Sequence, residues 1–325
     1  MRPRWMGYKS CIAAEIAAFL SYKRALSRKF DTEESVFRLL DRYLSACGVN
    51  DPVDITPSLL DAFLASRPRV RPRSYNHLLG VIRGFFFWMV QQGSLDCSPV
   101  LASPRRATAR KALFLFGPAE AKTLLETAEH LPDNNAAILR GPTYSMIFAL
   151  LYGLGLRVGE ASRLCRKDVD LDRNLLVVRQ TKFAKNRLVP FGPRMAERLS
   201  TYMDERGIMP PDAPLFSFGR GRPIHPCTIS QTFHHVLPLL KLTIPPGTSP
   251  PRVHDLRHAF ATRTLLRWYQ SGVDPASRLM HLSTFLGHVS PSSTAVYLTI
   301  THDLLQEASA RFQSLGATVL KGVTI

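Results

Sequence analysis

Residues 143–160, TYSMIFALLYGLGLRVGE, decide how the second half of this chain folds. From 143 to 152 the run is apolar nearly all round, which predicts a helix buried on every side and therefore surrounded by further elements. Gly153 and Gly155 let the backbone turn tightly, so Arg157 emerges at the start of the next helix, where free backbone amides also favour an anion. Glu160, three residues on, shares a helix face with Arg157 and is its natural ion-pair partner. Working outward, Gly117-Pro118 opens a helix through Leu124 and Leu125, residues 175–180 and 187–190 read as two strands joined by a hairpin turn, and helical spacing returns at 195–206, 229–240, 254–269 and 276–286. The expected class is mainly α with a small antiparallel β-sheet in the C-terminal domain.

Upstream, the first hundred residues read as four short helices with apolar faces, a small bundle. Ile12, Ile16, Phe19 and Leu20 recur at helical spacing, and Asp31 is placed to cap a helix carrying Val36, Leu39, Leu40 and Tyr43. Thr56-Pro57 sets a capping residue before a proline at the first helical position. The fourth helix, with Leu78, Leu79, Ile82, Phe85, Phe86 and Trp88, follows Arg67, Arg69, Arg71 and Arg73, which alternate with Pro68, Val70 and Pro72 in a segment that the prolines should hold extended. Residues 99–112, with Pro104, Arg105, Arg106, Arg110 and Lys111, have the composition of a basic linker. The expected division is 1–98, 99–112 and 113–325.

The 325 residues carry a net charge of +17, and 45% are hydrophobic, so the chain is globular and suited to a polyanion, since each neutralised phosphate releases counterions. No apolar run reaches a membrane span, and the charged residues within and after the first apolar stretch spoil a signal peptide, so the expected location is the cytoplasm. Five scattered cysteines without a Cys-x-x-Cys pair read as reduced thiols.

Two further stretches carry chemistry. In His254-Asp255-Leu256-Arg257-His258, His254 and Arg257 stand three apart and converge on one side of a helix, whose face continues as core through Ala261, Leu265 and Trp268. His254 and His258 also have the spacing of a zinc pair, but the adjacent carboxylate is aspartate, Arg257 would set a cation beside the metal, and no third ligand is evident; His258 is read as structural and no metal is expected. Leu286-Gly287-His288 ends a helix on a glycine cap, leaving His288 on a loop, and a short helix over 292–298 presents Tyr297.

These stretches, in this order and spacing, together with TKFAKNRLVP at 181–190, resemble the tyrosine recombinases of the phage integrase family. The likeness spans the second domain; the first resembles, by its layout, the family's SAM-like helical core-binding domain. The resemblance implies a site-specific DNA recombinase, of integrase or mobile-element transposase type, that works without metal, ATP or other cofactor. It makes Tyr297 the nucleophile of a 3′-phosphotyrosyl intermediate and sets Arg157 and Arg257 on the non-bridging oxygens. Lys182 becomes the general acid, with Lys185 as alternative because Thr181 and Phe183 flank Lys182 where glycines are common. His254 assists proton transfer, His288 contacts the phosphate or positions the tyrosine, and Glu160 and Asp255 act as supports. DNA contacts are expected from Arg69, Arg71, Arg73, Arg105, Arg106, Arg220 and Arg222. The implied partners are double-stranded DNA, other copies of the chain in a homotetramer on synapsed sites, and an accessory or partner recombinase, with no membrane. An apolar stripe of Leu304, Leu305, Ala308 and Phe312 suits the tail, 303–325, to docking on a neighbouring protomer.

Overall fold

The computed structural model describes residues 7–26, 28, 30–106, 111–179, 186–219, 221–288, 290 and 292–299. Lys182, Lys185, Arg110, Arg220 and the 303–325 tail lie outside the described residues. The chain divides into two compact units, Met1–Arg110 and Lys111–Ile325.

The first unit is a bundle of α1 (Ala13–Ala25), α2 (Asp31–Ala46), α3 (Pro57–Ala65) and α4 (Pro72–Gln91). Its core is aromatic: Phe85 packs edge-on against Phe19 and Phe37, with ring centroids 5.4 and 5.1 Å apart. Thr56 Oγ1 accepts from Leu59 N at 3.3 Å, capping α3 as the sequence suggests. Asp31 does not cap α2; it is the first helical residue, and Phe30 takes the cap position in the left-handed region, its ring 5.9 Å from that of Phe19. The arginine run is not wholly extended. Pro72 begins α4 and Arg73 lies in its first turn, because a proline at the first helical position gives up no hydrogen bond. Residues 99–106 lie along this unit: Val100 and Ala102 pack on its core, and the Arg105 backbone exchanges two 2.8 Å hydrogen bonds with the Asn76 side chain.

In the second unit, α6 (Arg140–Gly153) is the central helix, with 143–151 buried throughout. Around it stand α5 (Pro118–Glu129), α7 (Val158–Ser162), α8 (Pro193–Arg206), α9 (Pro226–Val236), α10 (Asp255–Gln270), α11 (Pro275–Leu286) and α12 (Ser292–Ala295), the last continuing as a 3-10 turn, Val296–Thr299. α9 stops before Pro238 and a 3-10 turn, Leu237–Leu240, finishes the segment. The sheet is antiparallel with order β1 (Val169–Asp170), β2 (Leu175–Val178), β3 (Arg187–Pro190). In its register Leu176 faces Val189 and Val178 faces Arg187, so Arg187 shares the inward face with three buried aliphatic residues. The molecule is mainly α with one small antiparallel sheet. Among the described residues no helix is long and apolar enough to cross a membrane.

Candidate active site

The site is assembled around Glu160, which is buried. Arg157 occupies the cap position of α7 in extended conformation; its backbone N–H donates to Glu160 Oε2 at 2.8 Å and its guanidinium to Oε1 at 2.7 Å. Arg187 comes in from β3 and donates from both terminal nitrogens to the two carboxylate oxygens, at 2.9 and 2.8 Å. Burial alone would raise the Glu160 carboxyl, but the Arg187 fork and Arg157 outweigh it and bring it down to about 2. The third guanidinium, Arg257 of α10, is 1% exposed and donates to the carbonyls of Gly155 and Leu286, each at 2.6 Å. Burial, then Arg157, lowers it to about 9, so it stays charged at neutral pH.

These arginines bind three chain segments into one floor. Arg157 also donates to Gly287 O at 3.0 Å and Arg187 Nε to Phe285 O at 2.8 Å, so the end of α11 is held by all three. Two glycines make the close approach feasible. Gly155, at φ +61°, would put a side chain 2.6 Å from the Phe260 ring; Gly287, at φ +64°, would put one 2.9 Å from the Arg187 guanidinium. Gly287 is the left-handed cap of α11, and beyond it His288 Nδ1 pairs with Thr294 Oγ1 at 2.7 Å.

Tyr297 lies over this floor, 4% exposed, in a small apolar cluster with Ala261, Leu265, Leu282 and Leu286. Its hydroxyl is 2.8 Å from His258 Nδ1, and its ring is nearly parallel to that of His288, with centroids 6.3 Å apart. Burial raises the phenol, and Arg257 and Arg157 oppose that rise. The rings of His254 and His258 meet edge to face at 4.6 Å. All three histidines are held near 4, by desolvation first and then by neighbouring cations: His258 and Arg257 for His254, Arg252 and Arg257 for His258, Arg257 and Arg157 for His288. Asp255 is fully buried and accepts from Arg252 N at 2.8 Å and its guanidinium at 3.1 Å, which fixes the start of α10.

The structure thus brings together Arg157, His254, Arg257, His288 and Tyr297 from positions 140 apart in sequence. It adds two residues that sequence reasoning left out of the site. Arg187 had a signal in strand alternation, which puts it on the face of Val189; its partner Glu160, 27 residues earlier, had none. His258 was legible as lying one turn from His254, but its contact with Tyr297 was not. Of the arginines expected on DNA, Arg71, Arg73, Arg105, Arg106 and Arg222 are exposed. Arg69 is half-buried, and the Arg105 guanidinium lies over the Tyr75 ring and donates to Arg69 O at 2.8 Å. Among the described residues no three His, Cys, Asp or Glu side chains cluster as a metal site would require.

Three arginines gather about a buried carboxylate, beside three histidines and an inward phenol. Comparisons with known proteins agree in class. The sequence model of the phage integrase family matches residues 116–303. The integrase/recombinase y4rB of Sinorhizobium fredii is 31% identical over 313 residues, spanning 92% of this chain and 96% of that protein. The tyrosine recombinase XerC of Pelobacter propionicus is 30% identical over 263 residues, 78% of each chain. Among solved structures, the Tn1549 transposon integrase in complex with transposon right end DNA superposes with a TM-score of 0.67 at 16% identity, covering 95% of this chain and 100% of that one. A lambda integrase tetramer bound to a Holliday junction gives 0.61 at 18% identity, covering 86% and 78%. This chain belongs to the phage integrase family and is a site-specific DNA recombinase of the tyrosine type.

Proposed function

We propose that Tyr297 attacks the scissile phosphate and leaves a 3′-phosphotyrosyl link and a free 5′-hydroxyl. The observation that carries this reading is the burial of the Tyr297 hydroxyl in a polar cluster with Arg157, Arg257, His254, His258 and His288, at the end of the chain's match to the family. Arg157 and Arg257 contact the non-bridging oxygens, where fixed guanidinium charge stabilises a pentacoordinate transition state. Lys182, with Lys185 as the alternative, protonates the leaving oxygen, and His288 donates to the phosphate. Strand exchange conserves the phosphodiester energy in the protein linkage, so the reaction needs neither metal nor ATP. Arg69, Arg71, Arg73, Arg105, Arg106, Arg220 and Arg222 supply backbone contacts to duplex DNA; of these Arg71, Arg73, Arg105, Arg106 and Arg222 are exposed.

The active assembly in this reading is a homotetramer on two synapsed sites, to which an accessory or partner recombinase can be joined. The lambda integrase tetramer on a Holliday junction supports it by likeness of fold. The deciding experiment captures covalent protein–DNA adduct on nicked duplexes drawn from the DNA flanking the encoding gene. Wild-type protein should accumulate adduct and Tyr297→Phe should form none; adduct from the phenylalanine variant refutes the assignment.

A further inference from the structure

We infer that His258 is the base that takes the proton from Tyr297, a catalytic residue beyond those to which the resemblance gives a role; the inference rests on Tyr297 being the nucleophile. Of the three described histidines in the site, only His258 brings a ring nitrogen within hydrogen-bond distance of the phenol, at 2.8 Å. His288 Nδ1 is engaged by Thr294, and His254, to which the resemblance gives the proton transfer, meets the edge of the His258 ring instead of the phenol. The placement follows from the fold. His258 is one turn along α10 from the cap residue His254, and the 3-10 turn carrying Tyr297 packs on that helix through Ala261 and Leu265.

The ring is set up to accept. Desolvation and the facing cations, Arg252 before α10 and Arg257 on it, keep His258 neutral above about pH 4, and the rings of His254 and Tyr297 lie against it. A neutral ring with its proton on Nε2 offers the Nδ1 lone pair to the phenol. The negative charge of an arriving phosphate opposes the arginines and makes the ring more basic in the state in which the proton moves. In the step itself the Oη–H bond breaks and its proton passes to Nδ1, giving an imidazolium. The phenolate electron pair forms the O–P bond, the bond from phosphorus to the 5′-oxygen breaks, and that oxygen takes a proton from the general acid. On rejoining, the imidazolium returns its proton to the departing phenolate.

The test measures the rate of adduct formation by the full chain on a nicked duplex, from the DNA flanking the encoding gene, on which the wild-type protein forms adduct. His258→Ala should cleave about 10²–10³-fold more slowly while still shifting the DNA in a gel. His258→Gln, which restores a hydrogen-bonding side chain without a base, should be equally slow. Free imidazole should restore cleavage by His258→Ala in proportion to its unprotonated fraction. Cleavage within threefold of wild type by either variant overturns the inference, and slow cleavage that imidazole leaves unchanged assigns a structural role and overturns it too. Tyr297→Phe, run alongside, separates the two claims: adduct there refutes the nucleophile, whereas its loss together with fast His258→Ala cleavage refutes only the base.

Discussion

Glu160 decides the geometry of the site more than any residue that would touch DNA. Its carboxylate is the shared acceptor of Arg157 and Arg187, and Arg257 stands 3.9 Å from it. Glu160→Gln keeps the shape but removes the charge that compensates a guanidinium only 9% exposed, so it should destabilise the protein by about 3–5 kcal/mol in denaturant unfolding and cut the cleavage rate as well. The same residue gives a pH dependence: with a folded value of about 2 against an ordinary 4.5, its contribution is complete above 4.5 and disappears as pH falls toward 2. The histidines act in a higher window. Each is neutral in the fold down to about 4 but takes a proton at 6.5 when unfolded, so stability should fall as pH drops from 6.5 to 4. Melting temperatures measured across that window should decline, and His288→Gln should flatten the decline; a flat wild-type profile would show that the rings are not held neutral.

At the level of elements, the site is made of ends. Arg157 caps α7, His254 caps α10, and Gly287 and His288 end α11. The carbonyls that end α11 have no partners within the helix, and they are the acceptors through which Arg157, Arg187 and Arg257 are held in place. The opposite end of α11 is secured by Asp274, whose carboxylate accepts from Ala276 N at 3.0 Å and Ser277 N at 3.2 Å. Asp274→Ala should therefore cost about 1 kcal/mol of stability, measured by denaturant titration, without changing the DNA sequence cleaved. The helices themselves were legible because their apolar spacing was regular and their caps conventional: Thr56, Gly117-Pro118 and Gly287 all lie where the residue types suggest. Ends governed by packing were less legible. Phe30 starts α2 because its ring joins the Phe19 cluster, and the two-residue strand Val169–Asp170 exists only because Leu175 and Leu176 pair with it.

At the scale of the whole molecule, the net charge of +17 is the property most directly tied to DNA. If the exposed arginines of both units reach phosphates, raising salt from 50 to 200 mM should weaken binding by about 10³-fold or more, whatever the sequence of the duplex; a shallow salt slope in a filter-binding or anisotropy assay would contradict backbone contact on that scale. Charge, the order of the motifs and helical periodicity determined the class of protein and the helical character of both units, and they singled out Arg157, His254, Arg257, His288 and Tyr297 as candidates, because each depends on residue types at short spacing. Which of these side chains touch was decided by the tertiary structure alone. Glu160 meets Arg187 through the register of β3, the three guanidiniums converge on the end of α11 through packing about α6, and Tyr297 reaches His258 because its 3-10 turn docks on α10. Contacts between residues 27 and 39 positions apart depend on how elements stack, and local sequence patterns carry no record of that distance.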